Sequence, residues 1–100
     1  MNDLGKLKKA ILDLHGCDSA HVASIAVHET FEHKTVWRGV VEVFSLVNHP
    51  RAKEAYAWSY DNDAGELRHV AVLGIPPVNS AHDAVRAYIV AEAKKKENYK

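Results

Sequence analysis

One hundred residues, 47% hydrophobic and 26% charged, are the size and composition of one soluble domain able to bury its own core. Thirteen basic residues balance thirteen acidic ones, which argues against a dedicated nucleic-acid binder, whose affinity comes from Lys and Arg neutralising phosphates. Cys17 is the single cysteine, so no intramolecular disulfide forms. With no signal-like apolar run at the N-terminus and no stretch near the ~20 apolar residues of a membrane span, a cytoplasmic protein is expected.

Asp3 to His15 reads as a helix. Leu4, Leu7, Ile11 and Leu14 recur on one face, Asn2 or Asp3 is the N-cap, and Gly16 ends the helix. His21 to Phe31 reads as the first strand, with Ala23, Ile25, Val27 and Glu29 on one face. Glu32 to Thr35 is then a four-residue loop, which sets Glu29 opposite Arg38 and His28 opposite Gly39. Val36 to Val47, VWRGVVEVFSLV, is the central strand, apolar on both faces. Gly39 within it marks a bulge, a bend or the close approach of another group. Pro50 ends this region.

Glu54 to Tyr60 is the third strand. Tyr56, Trp58 and Tyr60 line one face, and Ala55 and Ala57 the other. Asp61 to Gly65 is the strongest turn signal. Leu67 to Ile75 is the fourth strand, stopped by Pro76-Pro77; a four-residue loop sets Trp58 opposite His69 and Tyr60 opposite Leu67. The second helix starts at Ser80, which forms a capping-box pattern with Asp83. Residues 93–100 are charged and expected to fray.

These elements predict a single α+β domain over residues 1–100: helix, four-stranded antiparallel sheet, helix, with both helices packed on one face of the sheet. One helix approaches closely over Ala55 and Ala57. The face with Tyr56, Trp58 and Tyr60, and with Phe44, is then open and needs a cover.

The strings HETF (His28 to Phe31), VWRGVVEVF (Val36 to Phe44), HPRAK (His49 to Lys53), AYAWS (Ala55 to Ser59) and VAVLGIPPV (Val70 to Val78) resemble those of a family of small uncharacterised bacterial proteins. That resemblance covers most of the chain from Val22 onward and implies a bacterial setting but no catalytic role. The element order is also loosely similar to double-stranded RNA-binding domains. Their basic cluster at the start of the last helix is missing here, where Ser80 to Arg86 reads SAHDAVR.

Three groups of residues invite chemistry. His15, Cys17, Asp18 and His21 are metal-ligand types, but no second cluster stands at finger-like spacing, so no metal site is expected. His28, Glu29, Arg38 and His69 offer acid, base and anion-holding groups for a small ligand or an enzymatic cleft. The aromatic row Tyr56, Trp58, Tyr60 with Phe44 suits a protein interface, or the stacking of single-stranded nucleic acid. No glycine-rich phosphate loop, nucleophile elbow or Ser-His-Asp arrangement is present, so no catalytic residue and no cofactor are assigned. The leading expectation is a non-enzymatic module that homodimerises or binds a partner protein through its open sheet face, without membrane or nucleic acid. The seven histidines add the expectation of acid-sensitive association between about pH 7 and 5.5.

Overall fold

A computed structural model describes residues 4–97, with side chains through Lys94. The chain order is α1 (Leu4–His15), β1 (Ser19–Phe31), β2 (Lys34–Leu46), β3 (Glu54–Asp61), β4 (Leu67–Leu73) and α2 (Ala81–Glu97). The strands form one antiparallel meander in the order β1-β2-β3-β4. The expected sequence of helix, four strands and helix is therefore the observed one. The expected N-cap, Asn2 or Asp3, lies outside the described residues, as does 98–100 of the segment expected to fray; α2 is helical through Glu97.

The placement of the helices is a correction. They do not share a face but cover opposite faces. Alternation along β3 sends Ala55 and Ala57 one way and Tyr56 and Trp58 the other. Ala55, Ala57 and Phe44 pack with Leu7 and Ile11 of α1. Tyr56, Trp58, Val41, Val43 and Val27 pack with Ala81, Ala84 and Val85 of α2. At the Val43–Phe44 end of β2 each face meets its own helix, which accounts for the two-faced apolarity there. The two faces are called the α1 side and the α2 side below.

The seat of each helix is set by side-chain size. Alanines on the α1 side let Leu7 and Ile11 reach the sheet, and both are buried. The α1 stripe continues through His15, whose Nε2 donates to the Ala71 carbonyl at 3.1 Å. Leu14 falls outside this stripe and is 61% exposed. Gly16, at φ 71°, ends α1 with its N–H on the Leu12 carbonyl, as a left-handed C′ glycine does. At the other helix Ser80 Oγ accepts the Asp83 N–H, and Asp83 Oδ2 accepts the Asn79 N–H. That is a capping box shifted outward by one residue.

Both expected registers are off by one. The first hairpin turns on two residues, Glu32 and His33, both at positive φ, the geometry of a type I′ turn. A register shift between Glu29 and Thr30 then sets His28 opposite Arg38, Glu29 opposite Trp37 and Val27 opposite Gly39. A one-residue slip changes which partners meet across the strands. The second hairpin sets Trp58 opposite Val70, Ser59 opposite His69 and Tyr60 opposite Arg68. Its loop is five residues long, because Asn62 Oδ1 accepts the N–H groups of both Ala64 and Glu66 and draws the turn wider.

The four strands do not pair evenly. β1 and β2 pair along their whole length, and so do β3 and β4. β2 and β3 pair only from Glu42–Ala57 to Ser45–Glu54. The β1–β2 hairpin therefore runs on past the ladder as an arm of its own.

Candidate functional site

The α1 side is only partly covered. α1 sits over β3, β4 and the start of β1, so Phe44, Ala55 and Ala57 lie beneath it. Past Glu42 the same side of the arm is bare. There, alternation brings Ala26, His28, Val36, Arg38 and Val40 to the surface, all exposed. Val40 is 51% exposed although its strand is hydrogen-bonded to β1 through this stretch. On the other hairpin Ser59, Leu67 and His69 belong to the same side, with Leu67 exposed.

This half-face has an apolar middle and a polar surround. His28 and Arg38 are direct cross-strand neighbours. The His28 ring is tied to Thr35 Oγ1 at 2.7 Å, and the His69 ring to Ser59 Oγ at 2.7 Å. At the boundary with α1, the Glu42 carboxylate takes His21 at 2.8 Å and also the Ser24 hydroxyl. The His21 ring meets Phe44 edge-on at 5.4 Å. Both Ser24 and His21 converge on Glu42, and Ser24 lies 3.4 Å from the His21 ring nitrogen. That is a carboxylate held by two donors rather than a hydroxyl activated by a base.

The residues expected to form sites are divided by the fold. Arg38, His28 and His69 share the open half-face. Trp58, 2% exposed, and Tyr56, 4% exposed, are buried under α2, and Phe44 is fully buried on the opposite side under α1. Tyr60 alone of the row reaches the surface. The aromatic row is thus not an open platform for a partner or for stacked bases: α2 covers it. Trp58 sits in an edge-to-face chain, with Trp37 and Tyr88 each 5.4 Å from it. Burial, with a hydrogen bond to the Tyr60 hydroxyl, pushes the Tyr88 phenol up to about 12.

Glu29 is also separated from the group in which it was expected. It lies on the α2 side, where Arg86 Nε donates to its carboxylate at 2.9 Å and His82 approaches at 3.4 Å. The Arg86 bond holds the Glu29 carboxyl below its ordinary range, against the opposing effect of burial. Glu29 clamps α2 to β1 and has no access to the half-face. The sequence reading also missed Ser24, Glu42, Val40 and Ser59. The available signal for Val40 was its parity with His28 and Arg38 in the correct register.

The metal-ligand types in the α1–β1 loop go separate ways: Cys17 Sγ donates to the His15 carbonyl, His15 to Ala71, and His21 pairs with Glu42. Among the described residues no three His, Cys, Asp or Glu side chains gather as a metal-ligand group, and no helix is long and apolar enough to cross a membrane. No family model matches the chain, and no curated protein or solved structure matches it significantly.

Proposed function

We propose that this chain is a non-enzymatic binding module of the bacterial cytoplasm that engages a partner protein through the half of its sheet left bare by α1. The observation that carries this reading is Val40. An apolar residue in a strand paired to its neighbour, on a side whose other half is covered by a helix, remains 51% exposed. Together with Ala26, its partner across the strands, and Val36 farther along the arm, it makes an apolar strip of the kind that marks interaction surfaces. On the arm the polar neighbours of this strip are Arg38 and His28, and the Glu42 carboxylate is already engaged by His21 and Ser24; the exposed carboxylate on this side, Asp61, stands on the other hairpin opposite Leu67. The partner fitting it presents an apolar surface flanked by carboxylates.

The test is affinity capture from a lysate of the source cell, with wild type and Val40→Glu immobilised in parallel. Val40→Glu, at an exposed position, changes stability by no more than about 0.5 kcal/mol and loses a captured protein that wild type retains; Arg38→Glu weakens the same capture. A set of captured proteins indifferent to both substitutions excludes the reading. A second reading is a small-anion site, favoured by the cross-strand adjacency of His28 and Arg38. Titration with inorganic phosphate, followed by histidine ring resonances, separates the two: saturable movement of His28 supports the anion site, and unmoved resonances remove it.

A further inference from the structure

The outer face of α2 carries a pattern that its inner face does not require. Helical spacing puts Ala81, Ala84, Val85 and Tyr88 toward the sheet. On the pole directly opposite, at steps of four, three and four, lie Asp83, Ala87, Val90 and Lys94. That is the spacing of a helix–helix seam. Its middle is apolar and exposed: Val90 is 52% exposed, with Ala87 and Ala91 beside it, also exposed. A helix apolar on two opposite faces is the kind that becomes buried on both. A groove of about 470 Å³ runs along this pole, walled by Pro77 and Val78 and floored by Ala87, Val90, Ala91 and Lys94.

The charges at the two ends of the seam say what fits it. Asp83 and Lys94 are eleven residues apart, about 16 Å along the helix. An antiparallel copy of the same helix, related by a two-fold axis passing between the levels of Tyr88 and Ile89, brings each Asp83 against Lys94 of the other copy. The same operation sets each Ala87 against Val90 of the other copy. Small residues at the middle allow close approach of the two helices. A parallel copy in register sets like charges together instead. From this self-complementarity we infer that the chain forms a homodimer through antiparallel pairing of α2 with α2 of a second copy. The inference does not depend on the open half-face, which lies across the sheet from α2.

Light scattering on wild type across a concentration series tests it first, and a mass rising to twice 11.1 kDa is expected. Lys94→Glu faces Asp83 of the other copy with a like charge at both ends of the seam and weakens the dimer by at least about tenfold. Asp83→Lys does the same against Lys94. An equimolar mixture of these two variants restores the dimer, because each copy then complements only the other. The mixture also answers the objection that Asp83→Lys disturbs the helix cap, since a misfolded chain rescues nothing; circular dichroism checks the fold of each variant alone. Val90→Glu weakens association without altering the spectrum. A wild type that stays monomeric at the highest concentration, a dimer indifferent to Lys94→Glu and Val90→Glu, or a mixture that fails to restore association overturns the inference. Val40→Glu is expected to leave the dimer intact.

Discussion

At Gly39 a missing side chain makes room for a ring. A Cβ built there meets the Trp37 indole at 3.1 Å, and Trp37 is in turn stacked edge-on against Trp58. Of the three meanings a strand glycine could carry, close approach is the one realised. Gly39→Ala is therefore expected to push the Trp37 ring off its seat and to cost about 1–2 kcal/mol, read as a lower midpoint in urea denaturation. The gain in chain stiffness from replacing glycine would offset part of this, so a stabilised Gly39→Ala would mean that Trp37 moves freely. Glu29 gives a pH-dependent effect. Its carboxyl is held below the ordinary range by Arg86, so the stability it contributes is fully present above the unfolded carboxylate range of about 4.3. It is lost as pH falls through the lower folded value. Glu29→Gln is expected to be less stable than wild type at pH 7. The two should converge on acidification below the carboxylate range. Parallel stability curves down to acid pH would show that the Arg86 contact contributes nothing. The four-residue-loop register groups Glu29 with Arg38; the observed register, one residue off, sets it opposite Trp37 on the α2 side.

Among elements, the first hairpin shows what could be read in the chain and what could not. The strands, their order and their approximate ends follow from β-branched and aromatic runs punctuated by Pro and Gly. The turn does not. Glu32 and His33 adopt left-handed geometry, which neither residue advertises, whereas Asn-Gly would have. The resulting slip moved His28 beside Arg38 and Glu29 beside Trp37. Glu32→Asn with His33→Gly keeps the turn and relieves the left-handed penalty. It is expected to raise stability by about 1–2 kcal/mol, several degrees in melting temperature. A fall would mean that the Glu32 and His33 side chains contribute more than the strain they carry. The helix positions were partly legible. Ala55 and Ala57 announced a close helix, and α1 took that seat. The bulky side of β3 looks open in the sequence because an aromatic row resembles a binding surface as much as a core. It is the apolar inner stripe of α2, from Ala81 to Ile89, that makes it a core. Ile11 anchors the other layer. Ile11→Ala should cost about 2–5 kcal/mol, measured by thermal melting, and a smaller loss would show that α1 re-seats on the alanine face.

The whole molecule is graded from one end to the other. Around Phe44, Val43, Ala55 and Tyr56 the sheet is covered on both sides, by α1 and by α2. Farther along, from Ala23 to Glu29 on β1 and from Trp37 to Val41 on β2, only the α2 side is covered, by the core contacts of Val27, Trp37 and Val41 and by the Glu29–Arg86 clamp. At the tip, Phe31 and Val36 are exposed, and the strands there pair only with each other. Opening a segment requires exposing the apolar surface it buries, so local stability should follow the number of layers. Amide hydrogen exchange is expected to be slowest for Val43, Phe44, Tyr56 and Ala57, intermediate for Ile25 to Val27 and Val40 to Val41, and fastest for Thr30 to Val36. The gradient bears on function because the centre of the bare half-face, the Ala26–Val40 pair, lies on the intermediate part, stiff enough to present a surface and free of any helix to displace. An occupant of that half-face adds the missing third layer. It should therefore slow exchange at Val40 and Val41 while leaving Val43 and Tyr56 unchanged. Pairing through α2 should instead protect Ala87 to Ala91 and leave the arm as it is. Protection of the arm by self-association alone would place a second copy on the half-face and move the interface from the helix to the sheet.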